Sequence, residues 1–309
     1  MRTHVWLALN VAMLMLPSVV TWGETPQLPN DGKLRIIVFG AHPDDAEVRA
    51  GGSGILWSAA GHHVKLVSVT NGDIGHTRMA GAPLALRRMA EVRAASKILG
   101  TTSQVLDIHD GELLPTLENR RTITRLIREW NADIVISHRP NDYHPDHRYV
   151  ATLVQDAGFI VTVPFFCPDT PALQKNPVFL YGYDAFQRPN PFRPDIVVSL
   201  DSVIEKKMDA LMVMESQFVE VGIGGANIDR QPFPTTPAER EAVARKIREM
   251  WKTRFAAIAD KGRAKLCELY GEEIGNQVRY AEAFEICEYG HRPTADEIRQ
   301  LFPFLPEKK

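Results

Sequence analysis

The chain has 309 residues, of which 44% are hydrophobic, 24% charged and 8% aromatic, and its formal net charge is −2. This composition is typical of a globular protein with a sizeable core. The small net charge excludes a global basic field of the kind that attracts nucleic acid. No stretch has the pattern of an RNA- or DNA-binding motif, so we predict no nucleic-acid partner.

The N-terminus has the order of segments found in a secretory signal peptide. Residues 1–4 form a short basic segment, residues 5–20 are mostly apolar, and residues 21–26 are mostly polar. The apolar run is short for a membrane span and contains Pro17. We therefore predict a signal peptide over residues 1–23, cleaved near Gly23, and a periplasmic or extracellular protein without a stable membrane span after cleavage. The alternative is an uncleaved N-terminal anchor.

Residues 26–309 are predicted to form a single domain whose first half alternates strands and helices. Strands are predicted at 34–41, 63–70, 104–108 and 133–137, and helices at 46–60, 84–99 and 117–130. This order predicts an α/β fold with a Rossmann-like, doubly wound, mostly parallel sheet and helices on both faces. The later pattern is less regular, with strands predicted at 178–183 and 195–200, helices at 202–214 and 237–258, and a terminal helix capped by Thr294.

Two tetrads follow predicted strands, His42-Pro43-Asp44-Asp45 after the first and His144-Pro145-Asp146-His147 after the fourth. Ligands bind outside the carboxyl ends of strands in an open α/β sheet. Two imidazoles and one carboxylate are enough to hold a divalent metal with a vacant position. The paired tetrads therefore predict a metal-dependent hydrolase. The alternative for a single tetrad is that its aspartates cap the following helix.

A catalytic metal needs about three protein ligands, and His42, Asp45 and His147 meet that requirement. His42 and Asp45 lie three residues apart across a tight turn, and His147 comes from a neighbouring strand end. Asp44 would then lie beside the activated water and could remove its proton as a general base.

His144 and Asp146 are the remaining polar groups of the second tetrad. As an imidazolium, His144 could donate to a developing oxyanion or to a leaving amine. Asp146 could hold His144 in that state by a hydrogen bond. The alternatives are an exposed loop histidine and a helix-capping aspartate.

The combination of the two tetrads with Gly51-Gly52, residues 70–75 and residues 280–284 resembles the PIG-L/LmbE family of zinc-dependent N-deacetylases, over roughly residues 34–284. The resemblance implies one Zn²⁺ per chain and the ligand, base and oxyanion roles given above. It also implies that Asp110 contacts the sugar and that Arg78 contacts substrate, with a solvated loop charge as the alternative for Arg78. The family's second acidic residue in the loop after strand two is Asp73 here rather than Glu.

By the same resemblance, the expected substrate is a small-molecule or oligosaccharide N-acetylated amino sugar of the N-acetylglucosamine type. The predicted export favours an amino sugar outside the cytoplasm. One alternative is a non-haem iron oxygenase that uses a two-His-one-carboxylate site. Another is a non-catalytic secreted carbohydrate-binding protein with a structural metal, although such sites are usually closed by four ligands. An NAD-binding protein is disfavoured because no G-x-G-x-x-G follows the first strand.

The chain has three cysteines, Cys167, Cys267 and Cys287. With an odd number, at least one is unpaired in an exported protein. Cys267 and Cys287 could form a disulfide, and three buried thiols are the alternative.

Overall fold

A seven-stranded sheet lies at the centre of the structure, a computed structural model that describes residues 31–220 and 233–306. The predicted signal peptide lies outside these residues. The strands are β1 (Arg35–Gly40), β2 (His63–Ser68), β3 (Thr102–Val105), β4 (Ile134–Ser137), β5 (Val178–Gly182), β6 (Ile196–Ser199) and β7 (Ala281–Ile286). Their order is β3-β2-β1-β4-β5-β7-β6. Strands β1 to β5 pair in parallel, and β7 is antiparallel to both of its neighbours.

Helices cover both faces of this sheet. They are α1 (Asp45–Ala59), α2 (Ala82–Leu99), α3 (Leu117–Trp130), α4 (Pro145–Ile160), α5 (Ile204–Met212), α6 (Glu215–Phe218), α7 (Pro237–Lys261), α8 (Arg263–Tyr270), α9 (Glu272–Gln277) and α10 (Ala295–Leu301). In β1, Ile36 and Val38 join a core that includes α1, α2, α5 and α7, whereas Ile37 and Phe39 join a core with α3 and α4. Alternate residues of a strand point to opposite faces, so β1 is buried on both sides. The predicted α/β fold with a mostly parallel sheet is confirmed.

Several element boundaries differ from the sequence prediction. Helix α3 has the predicted bounds, but β3 was predicted at 104–108 and lies at Thr102–Val105. The ladder with β2 ends at the pair Ser68 and Val105, because β2 itself stops at Ser68. The antiparallel strand β7 was not predicted, because its two glutamates interrupt the apolar run that marks a buried strand.

A buried ion pair between Lys207 of α5 and Glu282 of β7 anchors the middle of α1. Both side chains are almost completely buried. Glu282 accepts hydrogen bonds from Lys207 and from the backbone amides of Gly52 and Ser53, the latter two at 2.8 Å. Lys207 also donates to the carbonyl of Val48 at 2.7 Å. Because these contacts join three elements, they fix the position of α1, whose first turn carries part of the first tetrad.

The three cysteines are free thiols, so the structure has no disulfide between Cys267 and Cys287. Cys167 and Cys287 are buried, and Cys267 is partly exposed. Among the helices in residues 31–220 and 233–306, none is both long and apolar enough to span a membrane.

Candidate active site

The two tetrads meet where the adjacent strands β1 and β4 end. The first tetrad turns sharply from β1 into α1. A Cβ atom at Gly40 would lie 2.6 Å from the Cβ of Asp45, so the missing side chain lets the helix begin this close to the strand. Asp44 has φ 151° and ψ −29°, a conformation that L-residues rarely adopt. Such backbone strain concentrates at functional sites.

The three predicted metal ligands converge on one point. His42 Nδ1, Asp45 Oδ2 and His147 Nε2 form a triangle in which each pair of atoms is 3.3 Å apart. A triangle of this size is one face of a tetrahedron whose centre lies about 2.0 Å from each corner, which is the usual length of Zn–N and Zn–O bonds. The donor set and its spacing therefore fit a tetrahedral zinc ion with one position left for water.

In each histidine of this triangle, the ring nitrogen that is not a corner of the triangle lies next to a carboxylate. Asp146 Oδ2 lies 3.2 Å from His42 Nε2 and also accepts the amide hydrogen of Gly111 at 2.7 Å. Asp142 Oδ1 lies 3.0 Å from His147 Nδ1. Carboxylates in this position orient the ring and raise the basicity of a metal-binding histidine. Their presence supports a metal-binding role for both imidazoles.

The charges around the triangle favour a cation. Burial lowers the pKa of His42, but hydrogen bonds with Asp110, Asp146 and Asp45 outweigh it, so the pKa lies well above its usual value. The pKa of His147 is also raised, because Asp45 and Asp142 outweigh the effect of burial. Surrounding carboxylates thus stabilise positive charge here, and a divalent metal would take the place of the protons.

Asp44 is available as a base because its side chain has no capping role. It precedes α1, yet its carboxylate makes no capping hydrogen bond. Burial and the neighbouring charge of Asp45 raise the pKa of Asp44 to about 7. A general base works best with a pKa near the operating pH. The adjacent aspartates therefore have different surroundings, since Asp45 belongs to the triangle and Asp44 does not.

His144, rather than Asp146, caps helix α4. Its Nδ1 accepts the amide hydrogen of Asp146 at 3.2 Å, which places the proton of the neutral ring on Nε2. Burial and the positive charges of His42 and His147 lower the pKa of His144. The structure thus favours a neutral donor over the imidazolium considered from sequence. We predicted that the carboxylate of Asp146 would contact His144. In the structure it contacts His42 instead.

Asp110 lies against the first ligand. Its Oδ1 is 3.1 Å from His42 Nε2, and its amide donates to Asp73 Oδ1 at 3.1 Å. Asp73 Oδ2 is in turn 2.6 Å from His109 Nδ1. Asp73 therefore fixes the loop that carries Asp110, and Asp110 is close enough to the triangle to contact a substrate bound there.

Arg78 lies apart from this cluster. Its side chain is exposed, its guanidinium stacks 4.1 Å from the ring centre of Phe233, and it forms no ion pair within the described residues. Arg88 is a buried cation close to Asp110: its Nη1 donates to the carbonyl of Gly72 at 2.6 Å and lies 3.9 Å from Asp110 Oδ2.

Two further residues beside the triangle, His138 and Asp142, were not predicted from the sequence. His138 Nε2 accepts the amide hydrogen of Ala41 at 3.1 Å and lies 3.5 Å from Asp45 Oδ2. Complete burial, with the charges of Arg49 and His147, lowers the pKa of His138 to about 3. Both missed residues follow β4, so the rule that drew attention to the tetrads would have found them if applied from Ser137 onward.

Fold and site together define an α/β protein with a His/Asp candidate metal centre at the carboxyl edge of its sheet. The family model described as "PIG-L: GlcNAc-PI de-N-acetylase" matches residues 37–158, which include both tetrads. A diacetylchitobiose deacetylase from Thermococcus kodakarensis is 32% identical over 199 residues, which cover 62% of this chain and 72% of that protein. The chain belongs to the PIG-L family, so the resemblance of its sequence is confirmed.

Two further comparisons show the range of proteins similar to this chain. A 4-oxalmesaconate hydratase from Pseudomonas putida is 29% identical over 196 residues, 59% of this chain and 73% of that protein. Among solved structures, N,N′-diacetylchitobiose deacetylase from Pyrococcus horikoshii, in complex with its inhibitor MPG, aligns with a TM-score of 0.63 and 25% identity. The alignment covers 85% of this chain and 88% of that one.

Proposed function

We propose that the protein is a zinc-dependent N-deacetylase that removes an acetyl group from an N-acetylated amino sugar. The observation that carries this proposal is the ligand triangle of His42, Asp45 and His147, with Asp44 and His144 beside it. The two diacetylchitobiose deacetylases similar to this chain support the choice of an amino-sugar amide as substrate.

His42, Asp45 and His147 would hold the zinc ion. When bound, zinc acts as a Lewis acid and lowers the pKa of water from about 15.7 to about 7. Asp44 takes the proton of the attacking water as its oxygen bonds to the acetyl carbon. The neutral ring of His144 donates its Nε2 hydrogen to the developing oxyanion. The C–N bond then breaks, Asp44 returns the proton to the amine, and the products are acetate and the free amino sugar.

We propose further that the protein is exported and acts on an extracellular or periplasmic amino sugar. The support is the order of basic, apolar and polar segments in residues 1–26. Export would expose the enzyme to free oligosaccharides and cell-surface glycans rather than to cytoplasmic intermediates.

The function is tested by measuring acetate and free amine after incubation with N-acetylglucosamine, N,N′-diacetylchitobiose and longer N-acetylated oligosaccharides. We expect equimolar acetate and amine, loss of both after chelation, and recovery with zinc. The Asp44→Asn variant, prepared identically, controls for contaminating enzymes. A lack of acetate release from every substrate by the zinc-loaded protein would refute the proposal.

Hydration of a carbon–carbon double bond is a second candidate, favoured by the similarity to the 4-oxalmesaconate hydratase. Activated water and a base such as Asp44 would serve either reaction. The two are separated by adding an unsaturated dicarboxylic acid to the same panel and following the absorbance of its double bond. Loss of that absorbance, without acetate release from any amide, would favour the hydratase.

A further inference from the structure

A cavity of about 560 Å³ opens directly onto Asp44 and Asp45. It lies between the first turns of α1, residues 183–186 after β5, and α7. His144 and Asp110 do not line it, whereas Tyr143, whose ring lies 5.8 Å from that of His144, does. Cavities of about 300–1,000 Å³ are typical of sites that bind small organic ligands. The reaction centre therefore has a large additional space beside it.

The walls of this cavity are mainly apolar. Val48 lies next to the reaction centre, Phe186 comes from the segment after β5, and Trp251, Phe255 and Ile258 come from α7. Phe255 and Ile258 are buried. Such walls favour a ligand that gains free energy by leaving water.

Most polar groups in the lining already have partners within the protein. Asp184 accepts two hydrogen bonds from Arg139, at 2.7 and 2.5 Å. Glu282 is paired with Lys207. Arg49 Nη1 donates to the carbonyl of Tyr183 at 2.9 Å. A sugar ring loses its hydration shell on binding and needs free partners for its hydroxyl groups, which these residues do not offer.

The free polar groups of the lining include two from α7. Trp251 Nε1 is buried and has no hydrogen-bond partner among the described residues, and exposed Arg254 stacks on the Trp251 ring at 4.7 Å without an ion pair there. Exposed Tyr143 also lines the cavity, and its hydroxyl has no hydrogen-bond partner in the described part of the chain. These groups are too few to solvate a ring of hydroxyls.

We propose that this cavity holds the acyl group of the substrate and that the enzyme hydrolyses amides of unbranched aliphatic acids longer than acetate. The inference rests on the proposed amidase function and deepens it. The carbonyl carbon must lie near Asp44, so the two groups attached to it leave the reaction centre in different directions. The amino sugar lies toward His144 and Asp110, and the acyl chain enters the apolar cavity. Water cleaves the C–N bond to give the fatty carboxylate and the free amine.

The first test is a series of N-acyl glucosamines from acetyl to octanoyl, compared by kcat/KM. Each methylene that leaves water contributes about 0.8 kcal/mol, so kcat/KM should rise about fourfold per methylene until the cavity is filled. A steady fall of kcat/KM beyond acetyl would overturn the proposal while leaving the deacetylase function intact.

Ala257→Phe provides a structural control for this series. Ala257 lines the cavity and is exposed on α7, so a phenyl ring there should narrow the cavity without disturbing the core. Ala242→Phe is the matched variant, exposed on the same helix and outside the cavity lining. We expect Ala257→Phe to abolish the rise in kcat/KM from the acetyl to the hexanoyl and octanoyl substrates, and Ala242→Phe to leave that rise in place. An equal loss for every chain length in Ala257→Phe would contradict an acyl site.

Binding without turnover separates the two proposals. Calorimetric titration of the zinc-loaded protein with acetate, butanoate, hexanoate and octanoate measures occupancy of the cavity directly. Affinity should increase with chain length, and Ala257→Phe should remove the increase. If no amide is hydrolysed but octanoate still binds more tightly than acetate, the proposed function fails and the apolar site stands. Equal affinities for all four carboxylates would refute the apolar site.

Discussion

Replacing Asp44 with asparagine isolates proton transfer from metal binding. Asparagine has nearly the same shape as aspartate, so it should fit the space that aspartate occupies at this unusual backbone angle, φ 151°. The substitution removes the proton acceptor and leaves His42, Asp45 and His147 in place. We expect the Asp44→Asn variant to bind zinc normally and to lose turnover.

The size of this loss follows from the surrounding groups. A positioned general base contributes about 10²–10⁴-fold to the rate. Asp45 is committed to the triangle, and His144 Nδ1 already accepts the amide hydrogen of Asp146, so neither can take over as base. We therefore expect the upper part of the range, about 10³–10⁴-fold in kcat, or about 4–5.5 kcal/mol in activation free energy.

The assay is acetate release at saturating substrate and zinc, with the metal content of the same samples. The pKa of Asp44 is raised to about 7 by burial and by Asp45, and a zinc ion nearby would lower it again. Because the base must be ionised, kcat of the wild type should fall as pH drops through a pKa at or below about 7. That acidic limb should be absent from the residual activity of Asp44→Asn.

The roles of Asp44 and Asp45 are separated by comparing the zinc dependence of their two variants. Asp45→Asn should weaken zinc binding and recover part of its activity at high zinc concentration. If zinc rescues Asp44→Asn while Asp45→Asn stays fully loaded and inactive, the two roles are reversed. Near-normal rates in both variants would show that this tetrad is not the active site.

Three further predictions concern the metal site, the core and export. Asp146→Asn should weaken zinc binding about 10–100-fold in chelator competition, because the buried carboxylate orients His42; unchanged affinity would contradict that role. Lys207→Met should lower the free energy of unfolding by about 3–5 kcal/mol in denaturant titrations, because it leaves the buried charge of Glu282 unpaired. Adding Glu282→Gln should restore much of this stability. A double variant as unstable as Lys207→Met alone would show that the unpaired charge is not the cause. Mass spectrometry of the protein from its native host should find the first 23 or so residues removed, and an intact cytosolic chain would exclude export.

The first half of the fold was predictable because its strands and helices alternate, and because α1, α2 and α3 are followed within two residues by Gly61, Gly100 and Asn131. Strand β7 was not, because its place in the sheet depends on tertiary contacts. Glu282 is tolerated in a buried strand only because Lys207 and the amides of α1 meet it there. No local pattern in residues 281–286 indicates that Lys207 and α1 contact this strand.

The tetrads indicated the ligand atoms because both follow strand ends, and adjacent parallel strands bring those ends together. The carboxylates that orient the two histidine ligands were harder to predict. Whether Asp146 faces His42 or His144 depends on how α4 begins, and His144 occupies the capping position itself. The contact between Asp142 and His147 likewise depends on the path of the loop after β4, which sequence spacing does not determine.

The central claim is that His42, Asp45 and His147 bind one zinc ion at the carboxyl edge of the sheet. The most direct test is a crystal structure of the zinc-loaded protein with anomalous diffraction data collected on both sides of the zinc absorption edge. We expect one strong peak per chain, about 2.0–2.2 Å from His42 Nδ1, Asp45 Oδ2 and His147 Nε2. A peak bound by other residues, or none at this triangle in fully zinc-loaded crystals, would contradict the claim.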